Sequence, residues 1–283
     1  MSYTTLISTH DLAQHIQSAQ TLVIDCRFDL MDTEIGREDY LESHLPGAIY
    51  ADLNKDLSGE IVAGKTGRHP LPDVEKFCQK LSQWGVDNSI QVIAYDDRGG
   101  AMAARLWWLL QWMGHDKAAV LDGGWNKWVS EGRNTSSSVP QREARKFSVN
   151  IQTQLSASVN DVLNAINDDS IKLLDARASD RFRGENETLD NKAGHIPGAI
   201  NVPFIGNLND EGCFLSPQAL QSRYESILGS TPGRNSIVYC GSGVTAAHDI
   251  LAMKVAGISD ARLYAGSWSH WITNDKHPIA TGD

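Results

Sequence analysis

The feature that most constrains this chain is an internal repeat. A strand-like run ending in Asp-x-Arg, Leu22-Val23-Ile24-Asp25-Cys26-Arg27, is followed seventeen positions after Arg27 by His44-Leu45-Pro46-Gly47-Ala48-Ile49. In the second half, Lys172-Leu173-Leu174-Asp175-Ala176-Arg177 is followed eighteen positions after Arg177 by His195-Ile196-Pro197-Gly198-Ala199-Ile200. Further on, Val92-Ile93-Ala94-Tyr95-Asp96 opens onto small residues, and Ile237-Val238-Tyr239-Cys240 opens onto Gly241-Ser242-Gly243. Each half then reaches a Trp-x-x-Trp pair, Trp125 with Trp128 and Trp268 with Trp271. These landmarks recur in one order at near-equal spacing, so the chain reads as two copies of one domain.

Within each half, short apolar β-branched runs alternate with helical patterns. Ile171–Asp175 and Ser236–Tyr239 read as buried strands. Val159–Ile166, entered through Ser158 as N-cap, and Pro217–Leu228 read as helices. This alternation implies an α/β fold of two tandem domains, each a mostly parallel sheet with helices on both faces. Sites in such sheets form at the carboxyl ends of strands. The expected division is 1–131, a linker over 132–151, and 152–283. The linker begins GRNTSSSVPQREARKFS, which is polar, holds three consecutive serines and a proline, and shows no hydrophobic period.

Composition narrows the class. The chain has 283 residues, 41% hydrophobic and 21% charged, as expected of a soluble globular protein. Lys+Arg 25 against Asp+Glu 35 gives a net charge of -10, which argues against nucleic acid or an anionic membrane as partner. The N-terminus lacks a basic start followed by an apolar core, and no apolar run approaches a membrane span, so a cytoplasmic location is expected. Cysteines stand at 26, 78, 213 and 240 with no C-x-x-C pair and no metal-like Cys/His spacing. Reduced thiols are expected, with neither a metal nor an organic cofactor.

Cys240 stands out among them. The apolar strand Ser236–Tyr239 runs into it, Gly241-Ser242-Gly243 follows, and Val244 onward reads as a helix ended by Gly257. A strand, glycine turn and helix start together aim backbone N–H groups inward and make an anion nest. A thiol there is favoured as thiolate, the nucleophilic form. The bland alternative is a small buried cysteine at a strand end. Cys26, Cys78 and Cys213 fit that bland role.

The loop Cys240-Gly241-Ser242-Gly243-Val244-Thr245, the tandem halves, the two His-x-Pro-Gly-Ala segments and Tyr264-Ala265-Gly266-Ser267-Trp268 resemble the rhodanese superfamily along nearly the whole chain. Within it they are most like the 3-mercaptopyruvate sulfurtransferase branch. Thiosulfate-specific relatives of the animal type tend to carry Arg-Lys where this chain has Gly241-Ser242. The resemblance implies a catalytic second domain and an inactive first copy, in agreement with Asp96 standing where Cys240 stands in the second. It implies a persulfide on Cys240, loaded from an anionic donor and discharged to thioredoxin, glutathione or cyanide. Arg181-Phe182-Arg183-Gly184 resembles the segment whose first arginine binds the donor carboxylate, so that role falls to Arg181. Arg183 reads either as a second contact or as a solvated surface charge. Thr245 reads either as part of the loop or as the residue that satisfies the helix start.

Two positions depart from the pattern. The mercaptopyruvate branch often has a second arginine nine positions after the first; here that residue is Asp190, with Lys192 nearby as a substitute. A Ser-His-Asp arrangement in the vertebrate branch is matched by Ser242 and by His69, but its acid falls at Asn54, between Asp52 and Asp56. His69 is therefore carried forward as a polar lining residue. His44 and His195 occur in both copies, including the one without the cysteine, which favours a structural role. The Trp-x-x-Trp pairs read as packing, and His248 as core or surface. Thiosulfate is the alternative donor. A non-catalytic sulfur carrier or binding module is the alternative from another class. A phosphatase of the dual-specificity type needs an arginine after its loop, where this chain has Ala246 and Ala247.

Overall fold

The structure, a computed structural model, describes residues 2–283. The chain forms two compact units, each with its own parallel sheet flanked by helices. In the first, strands β1 (Leu6–Ile7), β2 (Thr21–Asp25), β3 (Ile49–Tyr50), β4 (Gln91–Tyr95) and β5 (Ala118–Leu121) lie in the order β1-β5-β4-β2-β3. In the second, β6 (Lys172–Asp175), β7 (Ala199–Asn201), β8 (Ser236–Tyr239) and β9 (Arg262–Leu263) lie in the order β7-β6-β8-β9. A single bridge from Ser156 to Leu263 stands where the first sheet has β1. The central strands are buried along almost their whole length, which is why their sequences are unbroken apolar runs rather than alternating ones.

Register carries the repeat into three dimensions. Asp25 pairs across from Tyr95, and Asp175 across from Tyr239, at the carboxyl edge of each sheet. Each aspartate then holds the arginine two residues on, with Nη2 to Oδ2 at 2.6 Å in both copies. The same arginines donate to Ser43 O and Gly194 O, and lie over the Trp125 and Trp268 rings at 4.3 and 4.9 Å. His44 and His195 stack on Tyr40 and Phe182, and their Nδ1 atoms meet the Tyr40 and Phe182 carbonyls at 2.6 and 2.8 Å. Both histidines are thus tied into loop structure in each copy. Trp128, Trp268 and Trp271 are core residues. Burial of one tryptophan removes about 150–250 Å² from water, worth roughly 4–6 kcal/mol of transfer free energy.

The helices follow local signals. Val159–Ala165 starts at a capping box in which Ser158 and Asp161 exchange bonds, and Pro217–Leu228 starts with proline in its first turn. Thr245–Val255 ends before Gly257, whose φ of +82° needs no Cβ.

The units do not follow the linear division read from sequence. The first comprises residues up to Gly59, Pro72–Gln152 and Asn209–Phe214; the second comprises Glu60–Leu71, Thr153–Leu208 and Leu215–Asp283. The stretch 132–151 is exposed along most of its length, as read, but it belongs to the first unit as a strap along it. Ser136 N–H donates to His44 O, Arg145 N–H to Ser82 O and Asn150 N–H to Met113 O, while Phe147 is buried. Polar composition concealed a segment held chiefly by its main chain.

Candidate active site

β8 delivers Cys240 to the carboxyl edge of the second sheet. Trp268 and Ser269 donate their N–H groups to the carbonyls of Cys240 and Gly241, each at 2.9 Å. The Cys240 N–H donates to Ser267 Oγ at 3.1 Å, and that hydroxyl donates to Tyr264 O. Ser267 adopts φ +54°, a strained conformation for a residue with a side chain, and its hydroxyl holds the Cys240 backbone in return. The Gly243 N–H points at the Cys240 sulfur, 3.1 Å away. Gly243 itself has φ +78°, and a Cβ there would lie 2.4 Å from Ala265 O. The helix begins at Thr245 with Val244 as N-cap and no side-chain capping bond, so Thr245 is its first residue and not its cap. A donor N–H and an uncapped helix N-terminus are the partners an anionic sulfur needs.

Two guanidinium groups lean on the loop. A Cβ built on Gly241 would meet Arg68 Nη2 at 2.8 Å and Arg181 Nη2 and Nη1 at 3.5 and 3.6 Å. Arg181, on the short helix Ser179–Arg183, lays Nε and Nη2 on Glu187 at 3.1 and 2.9 Å and reaches Asp190 at 3.3 Å. Arg68 forms its own ion pair with Asp190 through Nη1. Both acid side chains are almost fully buried, at 2% and 4% exposure. Burial pushes the Asp190 carboxyl up, opposed by Arg68. Burial also acts to raise Glu187, but the Leu189 N–H and the Arg181 fork outweigh it and hold that carboxyl below its ordinary value. Lys192 pairs with Asp275 at 2.6 Å, and Arg183 with Glu185 at 2.7 Å.

Ser242 and His69 come together, with Oγ and Nδ1 2.7 Å apart and both residues buried. The Arg68 N–H donates to Ser269 Oγ at 3.0 Å and anchors that segment. Asn54 belongs to the first unit, where its N–H donates to Asp52. A cavity of about 560 Å³ opens beside the network, lined by Thr66, Arg68, Asp190, Lys192 and Ser269 among others.

The remaining sequence candidates have other surroundings. Cys26 and Cys213 are buried, and burial pushes both thiols up. Cys78 is half-buried, with its sulfur 3.7 Å from Phe147 O. His248 is core, edge-on to Phe204 at 5.3 Å. In the first unit the corresponding loop holds Asp96, whose carboxylate accepts N–H bonds from Arg98, Gly100, Met102 and Ala103 at 2.7–2.9 Å. That copy meets its loop N–H groups with a side-chain carboxyl, which burial pushes up and the four N–H bonds pull back down. Among the described residues no cluster of three or more His, Cys, Asp or Glu is placed to hold a metal, and no helix is long and apolar enough to cross a membrane.

Sequence reasoning missed Glu187 and Arg68 as site residues. The only signal for Arg68 was adjacency to His69; its distance from Asp190 along the chain, 122 residues, gave none.

The sequence matches the rhodanese-like domain family twice, over residues 8–131 and 158–274. It is 43% identical to a probable 3-mercaptopyruvate sulfurtransferase of Pseudomonas aeruginosa over all of both chains. It is 38% identical to a putative thiosulfate sulfurtransferase of Mycobacterium tuberculosis over 98% of this chain and 97% of that one. Among solved structures, the 3-mercaptopyruvate sulfurtransferase of Leishmania major superposes with a TM-score of 0.86 at 30% identity, covering 97% of this chain and 76% of the other. The Escherichia coli enzyme does so with a TM-score of 0.82 at 30% identity, covering 94% and 100%.

Proposed function

The chain belongs to the rhodanese family, and on that premise we propose that it is a sulfurtransferase that moves sulfane sulfur from 3-mercaptopyruvate to a thiol or cyanide through a persulfide on Cys240. One observation carries the reading: the Cys240 sulfur receives a backbone N–H at 3.1 Å beside a loop glycine where a Cβ would meet the guanidinium groups of two arginines. Nucleophile, anion nest and cationic grip for a carboxylate meet in one place.

The Cys240 thiolate attacks the donor's sulfur. The carbon–sulfur bond breaks, its electron pair goes to carbon, and the resulting enolate takes a proton to become pyruvate. The outer sulfur stays on Cys240 as a persulfide. An acceptor thiolate attacks that outer sulfur, and the electron pair of the sulfur–sulfur bond returns to Cys240. With cyanide the product is thiocyanate. In this reading Ser242, which contacts His69 at 2.7 Å, donates to the donor carbonyl or the departing enolate. Arg181 holds the donor carboxylate, and Arg183, paired with Glu185, is read as a solvated surface charge. The first unit, with Asp96 in place of the cysteine, is non-catalytic because a carboxylate cannot hold sulfane sulfur. Thioredoxin and glutathione are the thiol acceptors proposed, in a cytoplasmic setting that keeps Cys240 reduced; the chemistry calls for no cofactor.

The test is kcat/KM for 3-mercaptopyruvate and for thiosulfate, each with a thiol and with cyanide as acceptor. Preference for 3-mercaptopyruvate supports the reading. Preference for thiosulfate moves the protein to the thiosulfate branch with the same cysteine. Turnover with neither donor refutes the reading.

A further inference from the structure

The two donors differ in charge: 3-mercaptopyruvate carries one negative charge and thiosulfate two. The charge presented at the mouth of the loop therefore bears on the choice between them. Arg68, Arg181, Glu187 and Asp190 meet there, with Arg177, itself paired to Asp175, reaching Glu187 from behind at 3.5 Å, and the formal charges of these six side chains cancel. The atoms are also divided. Arg68 spends Nη1 on Asp190 and turns Nη2 to Gly241; Arg181 spends Nε and Nη2 on the two acids and leaves Nη1 beside the same glycine. Arg68 Nη2 and Arg181 Nη1 make no hydrogen bond within the described residues, and each remains available to one oxygen of a bound anion.

Asp190 is the hinge of this arrangement. It touches both guanidinium groups, is nearly buried, and sits nine positions after Arg181 in a segment fixed by the Leu189 and Asp190 N–H bonds to Glu187. Arg68 arrives from a distant stretch of chain, anchored by its own N–H on Ser269. Resting on the sulfurtransferase reading above, we propose that Arg68 is a second donor-binding residue, steered over Gly241 by Asp190, and that the two acids tune the site to singly charged carboxylate donors against dianions. Removal of Asp190's charge leaves the cluster one unit positive and less selective, and frees Arg68 to swing away.

The experiment measures kcat and KM for both donors in wild type, Arg68→Ala, Arg68→Lys and Asp190→Asn, with intact mass read after donor treatment to score sulfur on Cys240. Arg68→Ala is expected to raise the 3-mercaptopyruvate KM by about tenfold or more, the loss of one charge-assisted bond, while kcat stays within about threefold. Arg68→Lys is expected to recover part of that loss. Asp190→Asn is expected to raise the ratio of thiosulfate to 3-mercaptopyruvate kcat/KM by about fivefold or more. Should Arg68→Ala melt early, Arg68→Gln takes its place. A labelled Cys240 with donor KM values unmoved by loss of the Arg68 charge overturns this inference alone, as does an Asp190→Asn protein that changes both donors by one factor. A wild-type protein that neither donor labels overturns the parent reading instead.

Discussion

Replacement of Asp96 by alanine tests whether the strand–loop–helix turn of this fold is built around an anion. Asp96 is fully buried, and its two oxygens take four backbone N–H bonds, from Arg98 and Gly100 on one and from Met102 and Ala103 on the other. Alanine leaves those donors facing a hole. Each buried donor left unsatisfied costs about 1–3 kcal/mol, and water entering the space recovers part. A net loss of about 4 kcal/mol is expected, which lowers the melting transition of the first unit by about 8–16 °C. Scanning calorimetry in a buffer free of sulfate and phosphate reads it, with the two units allowed separate transitions. Sulfate should then stabilise the variant more than wild type, because an emptied nest binds an anion in the folded state only. A drop under about 2 °C, with equal sulfate response in both proteins, would refute the reasoning for this turn and weaken it for the Cys240 loop.

Arg181→Ala should raise the donor KM about tenfold or more and also destabilise the fold by roughly 1–3 kcal/mol, because the buried Glu187 loses its fork while keeping the Leu189 and Asp190 N–H bonds; an unchanged KM removes Arg181 from the site. Ser242→Ala should lower kcat with 3-mercaptopyruvate about tenfold or more and spare thiosulfate, because only the former releases an enolate that needs a proton; equal losses with both donors would contradict that role. Asp249, buried in the helix after the loop, has its carboxyl pushed up to about 8 by burial. A carboxyl raised in the folded state gives stability that is present at acid pH and is lost as pH rises from its unfolded value near 4 toward 8, by up to about 1.4 kcal/mol per unit. Asp249→Asn should therefore raise the melting temperature more at pH 8 than at pH 5, and a pH-independent change would show that Asp249 is charged in the fold.

Much of the architecture was legible because its signals are local. Ser236–Tyr239 and Lys172–Asp175 are apolar runs bounded by breakers, and Ser158 and Pro217 mark helix starts; strands and helices fall within a residue or two of where those signals put them. The repeated Asp-x-Arg is legible for a deeper reason: the arginine pairs with an aspartate two residues away, so the motif carries its own partner. The strap over 132–151 was not legible, since bonds such as Arg145 N–H to Ser82 O involve atoms that every residue has. Nor was Arg68. Nothing periodic links it to Asp190 or to Gly241, and the carboxylate at 190 looked like a lost cation until the structure set an arginine on it. Pairing of His69 with Ser242 came from family likeness rather than from any pattern in the residues.

The whole transfer depends on sulfur being carried by Cys240. It is tested most directly by treating the purified, reduced protein with 3-mercaptopyruvate in the absence of acceptor, and by locating added sulfur with intact-mass and peptide spectra. One sulfur atom per chain is expected on Cys240, removed by cyanide or a thiol, and none in a folded Cys240→Ser protein. Sulfur on Cys26, Cys78 or Cys213, or undiminished turnover in Cys240→Ser, would contradict it.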